Sequence, residues 1–114
     1  MDNFFWIYLD RIINSHELVI DRKKGSRHPL YPDMVYPLDY GYLQNTRAMD
    51  GGGIDVWIGS QNRSTVNGIF CTVDLRKEDS EIKIVIGCNL DEINHINKFH
   101  NDNLQAAIWI EKQQ

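Results

Sequence analysis

The sequence predicts a mainly β fold, a small closed or nearly closed β-barrel carrying two peripheral helices. Apolar and polar residues alternate along 66–75, where Ile69, Cys71, Val73 and Leu75 share one face. They alternate again along 81–88, with Ile82, Ile84 and Ile86 on one face and Glu81, Lys83 and Val85 on the other. Helical spacing of apolar residues appears in two segments, 3–14 and 91–99.

The elements follow in chain order. In 3–14, Phe5, Leu9, Ile12 and Ile13 form a wide apolar stripe, and Asp10, Arg11 and Asn14 fall largely off it, which predicts an amphipathic helix docked on the domain. Glu17–Asp21 reads as a short strand. Arg22–Pro29 is too polar for core and holds glycine and proline, so it is a loop. Residues 31–42 read as irregular, because Pro29, Pro32 and Pro37 fix φ and bias their predecessors toward extended geometry. Ile54–Ile58 is a strand and Ser60–Ser64 a polar turn. The run Arg76–Ser80 joins the two alternating strands as a hairpin. Asp91–Phe99 is a short helix capped at Asn89 or Asp91, and Leu104–Ile110 a last strand.

The 114 residues read as one domain, 1–114, with ordinary hydrophobic (42%) and charged (25%) content for a water-soluble fold. A formal charge of −4 disfavours a nucleic-acid partner, which calls for a basic face. No stretch approaches the roughly 18 apolar residues of a membrane span, so no membrane partner is expected. The start Met1-Asp2-Asn3-Phe4 lacks the features of a secretory signal. Cys71 and Cys88 lie in apolar runs and read as buried free thiols, which points to a cytoplasmic location. The oligomeric state is left open, a homo-oligomer included.

Two segments concentrate chemistry. Tyr36-Pro37-Leu38-Asp39-Tyr40-Gly41-Tyr42-Leu43 is a stiff aromatic stretch, and Met49-Asp50-Gly51-Gly52-Gly53-Ile54-Asp55 sets two carboxylates around a triple glycine. Carboxylates on a glycine-rich loop suit a hard cation such as Mg²⁺, and glycines let the backbone approach a phosphate. The plainer reading is a hairpin turn, since Asp-Gly favours one. Asp74, Glu81 and Lys83 flank the later hairpin, either as a charged wall of a site or as a solvated sheet face. Arg22–His28 supplies four cations and a histidine, either clamps for phosphoryl oxygens or a solvated loop. His95 and His100 do not share a helical face and read as surface residues, whereas Trp6, Trp57 and Trp109 read as core. No P-loop, GxSxG elbow or CxxC occurs.

Taken together, these motifs resemble the soluble family I inorganic pyrophosphatases. Tyr36–Tyr42 is similar to that family's Tyr-Pro-x-Asn-Tyr-Gly segment, Asp50–Asp55 to its Asp-Gly-Asp-Pro-x-Asp signature, and Asp74–Lys83 to its later acidic hairpin. The resemblance runs from Leu18 to Phe99. It implies a five-stranded barrel of the OB type with an N-terminal helix and one short helix near the C-terminus. It also implies hydrolysis of pyrophosphate by metal-activated water, with Mg²⁺ as cofactor and Mn²⁺ as substitute. Carried over by position, Asp50, Asp55, Tyr40 and Lys83 are the implied catalytic residues. Asp50, Asp55, Asp39, Asp74, Glu81 and Asp21 are the implied metal set, and Arg27, Lys24, Tyr36, Tyr40 and Lys83 the implied substrate contacts. Gly52 stands where the family has its middle aspartate, Asp39 where it has asparagine, and the family's C-terminal Tyr-Lys contacts find no counterpart. The alternative is therefore a catalytically impaired barrel that binds a phosphate ligand or a protein.

Overall fold

A computed structural model describes residues 4–113. The elements run α1 (Phe4–Ser15), β1 (Leu18–Arg22), β2 (Asp39–Leu43), β3 (Ile54–Ile58), β4 (Val66–Asp74), β5 (Asp79–Ile86), α2 (Leu90–His100) and β6 (Gln105–Glu111). The fold is mainly β, as expected, but with six strands rather than five, in the order β1-β2-β3-β5-β4-β6. The sheet does not close: β1 pairs with β2 and β6 with β4, and the two edge strands share no ladder. All neighbours are antiparallel except β3 and β5, which run parallel.

The extra strand is β2, in the segment read as irregular. Pro37 stops short of it, so the proline penalty falls on the approach rather than on the ladder. Gly41 is required there. A Cβ at Gly41 would overlap the carbonyl of Val19 on β1, so only glycine lets the two strands approach this closely.

Two cores lie on opposite faces of the sheet. On one, Trp6 and Leu9 of α1 pack with Leu43, Val56, Ile58, Ile69, Ile84 and Ile86, with Ile13 alongside. The buried side of α1 is thus Trp6–Leu9–Ile13; Phe5 and Ile12 of the expected stripe are exposed, as are Phe4, Ile7 and Tyr8. Spacing alone cannot choose among adjacent stripes on a helix this apolar. On the other face, Ile96 of α2, with Ile93 and Phe99, covers Trp57, Phe70 and Val85. Helix α2 begins with a reciprocal capping box between Asn89 and Glu92, the first of the two caps expected. Trp6 and Trp57 are buried as expected, while Trp109 is half-buried against Phe70, with ring centroids 4.9 Å apart.

Candidate active site

Strand register assembles the site. Tyr42, Asp55, Lys83, Phe70 and Trp109 are successive partners across β2, β3, β5, β4 and β6. Residues two apart on a strand share a face, so Tyr40, Trp57 and Glu81 join Asp55 and Lys83 on the α2 side. Lys83 is the hub. Its Nζ donates to Asp55 Oδ2 at 2.6 Å, to Tyr40 Oη at 3.1 Å and to Glu81 Oε1 at 3.3 Å. The Lys83 and Glu81 side chains are only 7% and 2% exposed. Burial alone would lower the Lys83 pKa, but Asp55 and then Glu81 outweigh it, so the ammonium is held charged above its ordinary range. Burial, reinforced by Asp55, pushes the Tyr40 phenol well above its usual value and keeps it a hydrogen-bond donor.

Lys83 lies in the wall of a cleft of about 280 Å³. Arg76 and Lys77 of the β4–β5 turn, His28 and Tyr36 contribute to the lining. Burial lowers the His28 pKa, and the nearby charges of Arg22, Lys77 and Arg76 lower it further, so several positive groups converge there. The Tyr36 phenol is raised by burial, an effect opposed by the Arg22 guanidinium beside it. Tyr36, Tyr40, Trp57 and Phe99 form a continuous aromatic wall, with ring centroids 4.5 to 5.9 Å apart.

From the floor of the core to the cleft lining runs a hydrogen-bonded chain. Trp57 Nε1 donates to His100 Nε2 at 2.9 Å, His100 Nδ1 lies 2.8 Å from Gln105 Oε1, and Gln105 Nε2 donates to Asp74 Oδ2 at 3.0 Å. Indole can only donate, so Nε2 must accept and the proton of a neutral imidazole sits on Nδ1. Burial, the leading cause, takes the His100 pKa down to about 4. His100 is thus a core residue, not the surface residue its spacing suggested; a lone buried histidine leaves no periodic signal.

The expected site residues divide sharply. Asp55, Glu81, Lys83 and Tyr40 come together, and Tyr36 lines the same cleft. Asp74 also lines it, but its Oδ1 caps the backbone N–H groups of Arg76 and Lys77 and its Oδ2 holds Gln105. Burial would raise the Asp74 carboxyl, yet these donors bring it below its ordinary value. Asp50 is exposed in the β2–β3 loop and accepts from Gly52 N–H. Asp39 accepts from the backbone of Lys24, and Asp21 sits exposed on β1 beside Arg22. Arg27 donates to Pro32 O and braces its own loop. Lys24 and Arg27 do not line the cleft; Arg76 and Lys77 do, and sequence reading missed them because they look like turn residues.

Among the described residues no group of three His, Cys, Asp or Glu side chains converges to hold a metal ion. A two-metal centre therefore does not fit this donor set. Asp55 and Glu81 are the two carboxylates of the expected set that come together, each on the Lys83 ammonium at 2.6 and 3.3 Å, where Mg²⁺ would keep most of its water and take one or two carboxylates plus phosphate oxygens. Glu81 Oε2 is buried with no hydrogen-bond partner, an open acceptor that such an ion or its water would satisfy.

Known proteins are similar to this chain in sequence or in fold. An inorganic pyrophosphatase of Geobacillus stearothermophilus is 47% identical over 49 residues, 41% of this chain and 27% of its own. One from Bacillus sp. (strain PS3) is 38% identical over 61 residues, 46% of this chain and 37% of its own. The chain thus matches well under half the length of these curated relatives. A solved inorganic pyrophosphatase from Coxiella burnetii shares the fold, with a TM-score of 0.58 at 16% identity over 83% of this chain and 84% of that one. The family model for inorganic pyrophosphatase matches residues 13–111, and the chain belongs to that family.

Proposed function

We propose that the chain is a pyrophosphatase-type phosphohydrolase that binds a phosphate compound in the Lys83 cleft. One observation carries this reading: a buried, permanently charged lysine held among Asp55, Glu81 and Tyr40 at the wall of a cleft lined by further cations. Lys83, Lys77 and Arg76 neutralise phosphoryl oxygens, and the protonated Tyr40 phenol donates to one of them. Glu81 Oε2, the acceptor without a partner, orients the attacking water. Asp55 and Glu81 would hold Mg²⁺, or Mn²⁺ in its place, which when bound supplies charge neutralisation at the phosphate. The remaining catalysis is positioning, which phosphoryl transfer chiefly demands. Free Cys71 and Cys88 support a cytoplasmic setting, residues 1–114 act as one domain, and neither nucleic acid nor membrane enters the scheme.

The test is phosphate release from pyrophosphate with Mg²⁺ or Mn²⁺. Expected is turnover that Lys83→Met and Asp55→Asn each reduce at least tenfold; no release from the native chain overturns it. The second reading, a domain that binds phosphate without turning it over, draws support from the dispersal of Asp21, Asp39, Asp50 and Asp74. It predicts Lys83-dependent phosphate binding by calorimetry together with no release.

A further inference from the structure

We propose, resting on the phosphate-binding reading above, that the cleft also takes an organic phosphate carrying a flat ring, and holds it more tightly than inorganic phosphate. The cleft has two unlike walls. Lys83, Lys77 and Arg76 bring three cations to one of them, set among the carboxylates of Asp74 and Asp102, whereas the segment from His28 to Tyr36 turns an apolar rim toward it. Leu30 on that rim is 75% exposed and Tyr31 is 40% exposed. Both line the cleft together with Met34 and, from α2, Phe99.

The rim is a built structure. An isolated bridge pairs Arg27 with Val35, His28 N donates to Met34 O, and Met34 N donates to Tyr31 O. Arg27 spans the loop to Pro32 O, and Leu30 N donates to the His28 ring. The Arg76 guanidinium lies over the Tyr31 ring, 4.4 Å from its centroid, and fixes the rim to the cationic wall. A leucine held in solvent by this many bonds gains nothing from an all-oxygen ligand such as pyrophosphate. It does gain from a substituent that removes it from water. The volume, about 280 Å³, lies near the roughly 300 Å³ lower bound of pockets that hold small organic molecules. The phosphate of such a ligand meets Lys83, Lys77 and Arg76, and its ring rests against Leu30, Tyr31 and Met34.

The experiment is isothermal calorimetry of the full chain with phenyl phosphate, methyl phosphate and inorganic phosphate as probes, with Mg²⁺ present. Phenyl phosphate is expected to bind about tenfold tighter than inorganic phosphate, the upper end of what an aromatic contact contributes, and methyl phosphate to show little of that gain. Leu30→Ser with Met34→Ser should collapse the phenyl-to-inorganic affinity ratio toward one. Leu30→Ser alone, at a residue three-quarters exposed, guards against a folding defect and should lower the ratio part-way. Equal affinity for phenyl and inorganic phosphate in the native chain overturns the inference and leaves the phosphate-binding reading standing, provided that Lys83→Met abolishes both. A ratio unchanged in the variants also overturns it. If no probe binds, both readings fail.

Discussion

Protonation of His100 should cost this fold stability as pH falls from 7 to 4. The imidazole is buried and neutral, its Nε2 accepting from Trp57 and its Nδ1 facing Gln105. Its folded pKa of about 4 lies below the free value of 6.5, so the unfolded chain takes up this proton first as pH falls. Stability is therefore full above about pH 6.5, declines between 6.5 and 4, and loses nothing further from this group below 4. Integrating the difference gives a loss of ~2 kcal/mol by pH 5 and ~3 kcal/mol by pH 4 from this one residue. Urea unfolding followed by tryptophan fluorescence at pH 7 and pH 5 measures it, with His100→Gln as the non-titrating reference. The native chain should lose ~2 kcal/mol more than the variant over that interval. Equal losses in the two chains refute the reasoning. So does an NMR titration placing the His100 pKa at 6 or above, which is readable even where the variant folds poorly.

Other changes test separate parts of the structure. Lys83→Met strips the counter-charge from a nearly buried Glu81 and a partly exposed Asp55, so a loss of ~3 kcal/mol in urea unfolding is expected; a loss under about 1 kcal/mol would mean the cluster is well solvated. Gly41→Ala drives a methyl into the Val19 carbonyl and should cost ~3 kcal/mol or abolish folding, read by circular dichroism and thermal melting. Gly52→Asp should leave stability within about 1 kcal/mol, because its Cβ meets only the end of the Asp50 side chain, at 3.3 Å. The same variant should tighten Mg²⁺ binding in calorimetry, and unchanged affinity would show that Asp50 and position 52 form no cation site. Asn89→Ala removes half of the α2 capping box and should lower stability by ~1 kcal/mol in denaturant titration.

What the sequence disclosed and what it hid follow from range. Alternation along 66–75 and 81–88 placed Glu81 and Lys83 on one face because pleating is a local rule with period two, and the structure obeys it. Strand β2 escaped notice because the reason for Gly41 is the backbone of β1, twenty-two residues earlier, which no local window contains. Register across the sheet is likewise non-local: the partnership of Asp55 with Lys83 depends on a parallel pairing that skips β4. Motif resemblance assigned both residues to one site without pairing them. It also drew in Asp21, Asp39, Asp50 and Asp74, whose carboxylates cap backbone groups or face solvent. Arg76 and Lys77 went unseen because a turn cation aimed into a cleft and one aimed into water look the same in sequence.

The parallel pairing of β3 with β5 has a consequence for assembly. It divides the sheet into two sequence-contiguous halves, β1-β2-β3 and β5-β4-β6, joined at this single seam. Local pairings form faster than those across long loops, so the β1-β2-β3 meander and the β4-β5 hairpin are expected to take shape first and dock afterwards, with β6 joining β4 across a longer connection. Asp55 lies on one side of the seam and Lys83 on the other, and the ligand cleft exists only once the two have met. On the proposed function, a bound phosphate compound would act as a clasp, raising the free energy of separation by RT ln(1 + [L]/Kd). Phosphate supply would thus govern how long the molecule survives proteolysis, and its protease half-life should lengthen with ligand concentration while that of Lys83→Met stays flat.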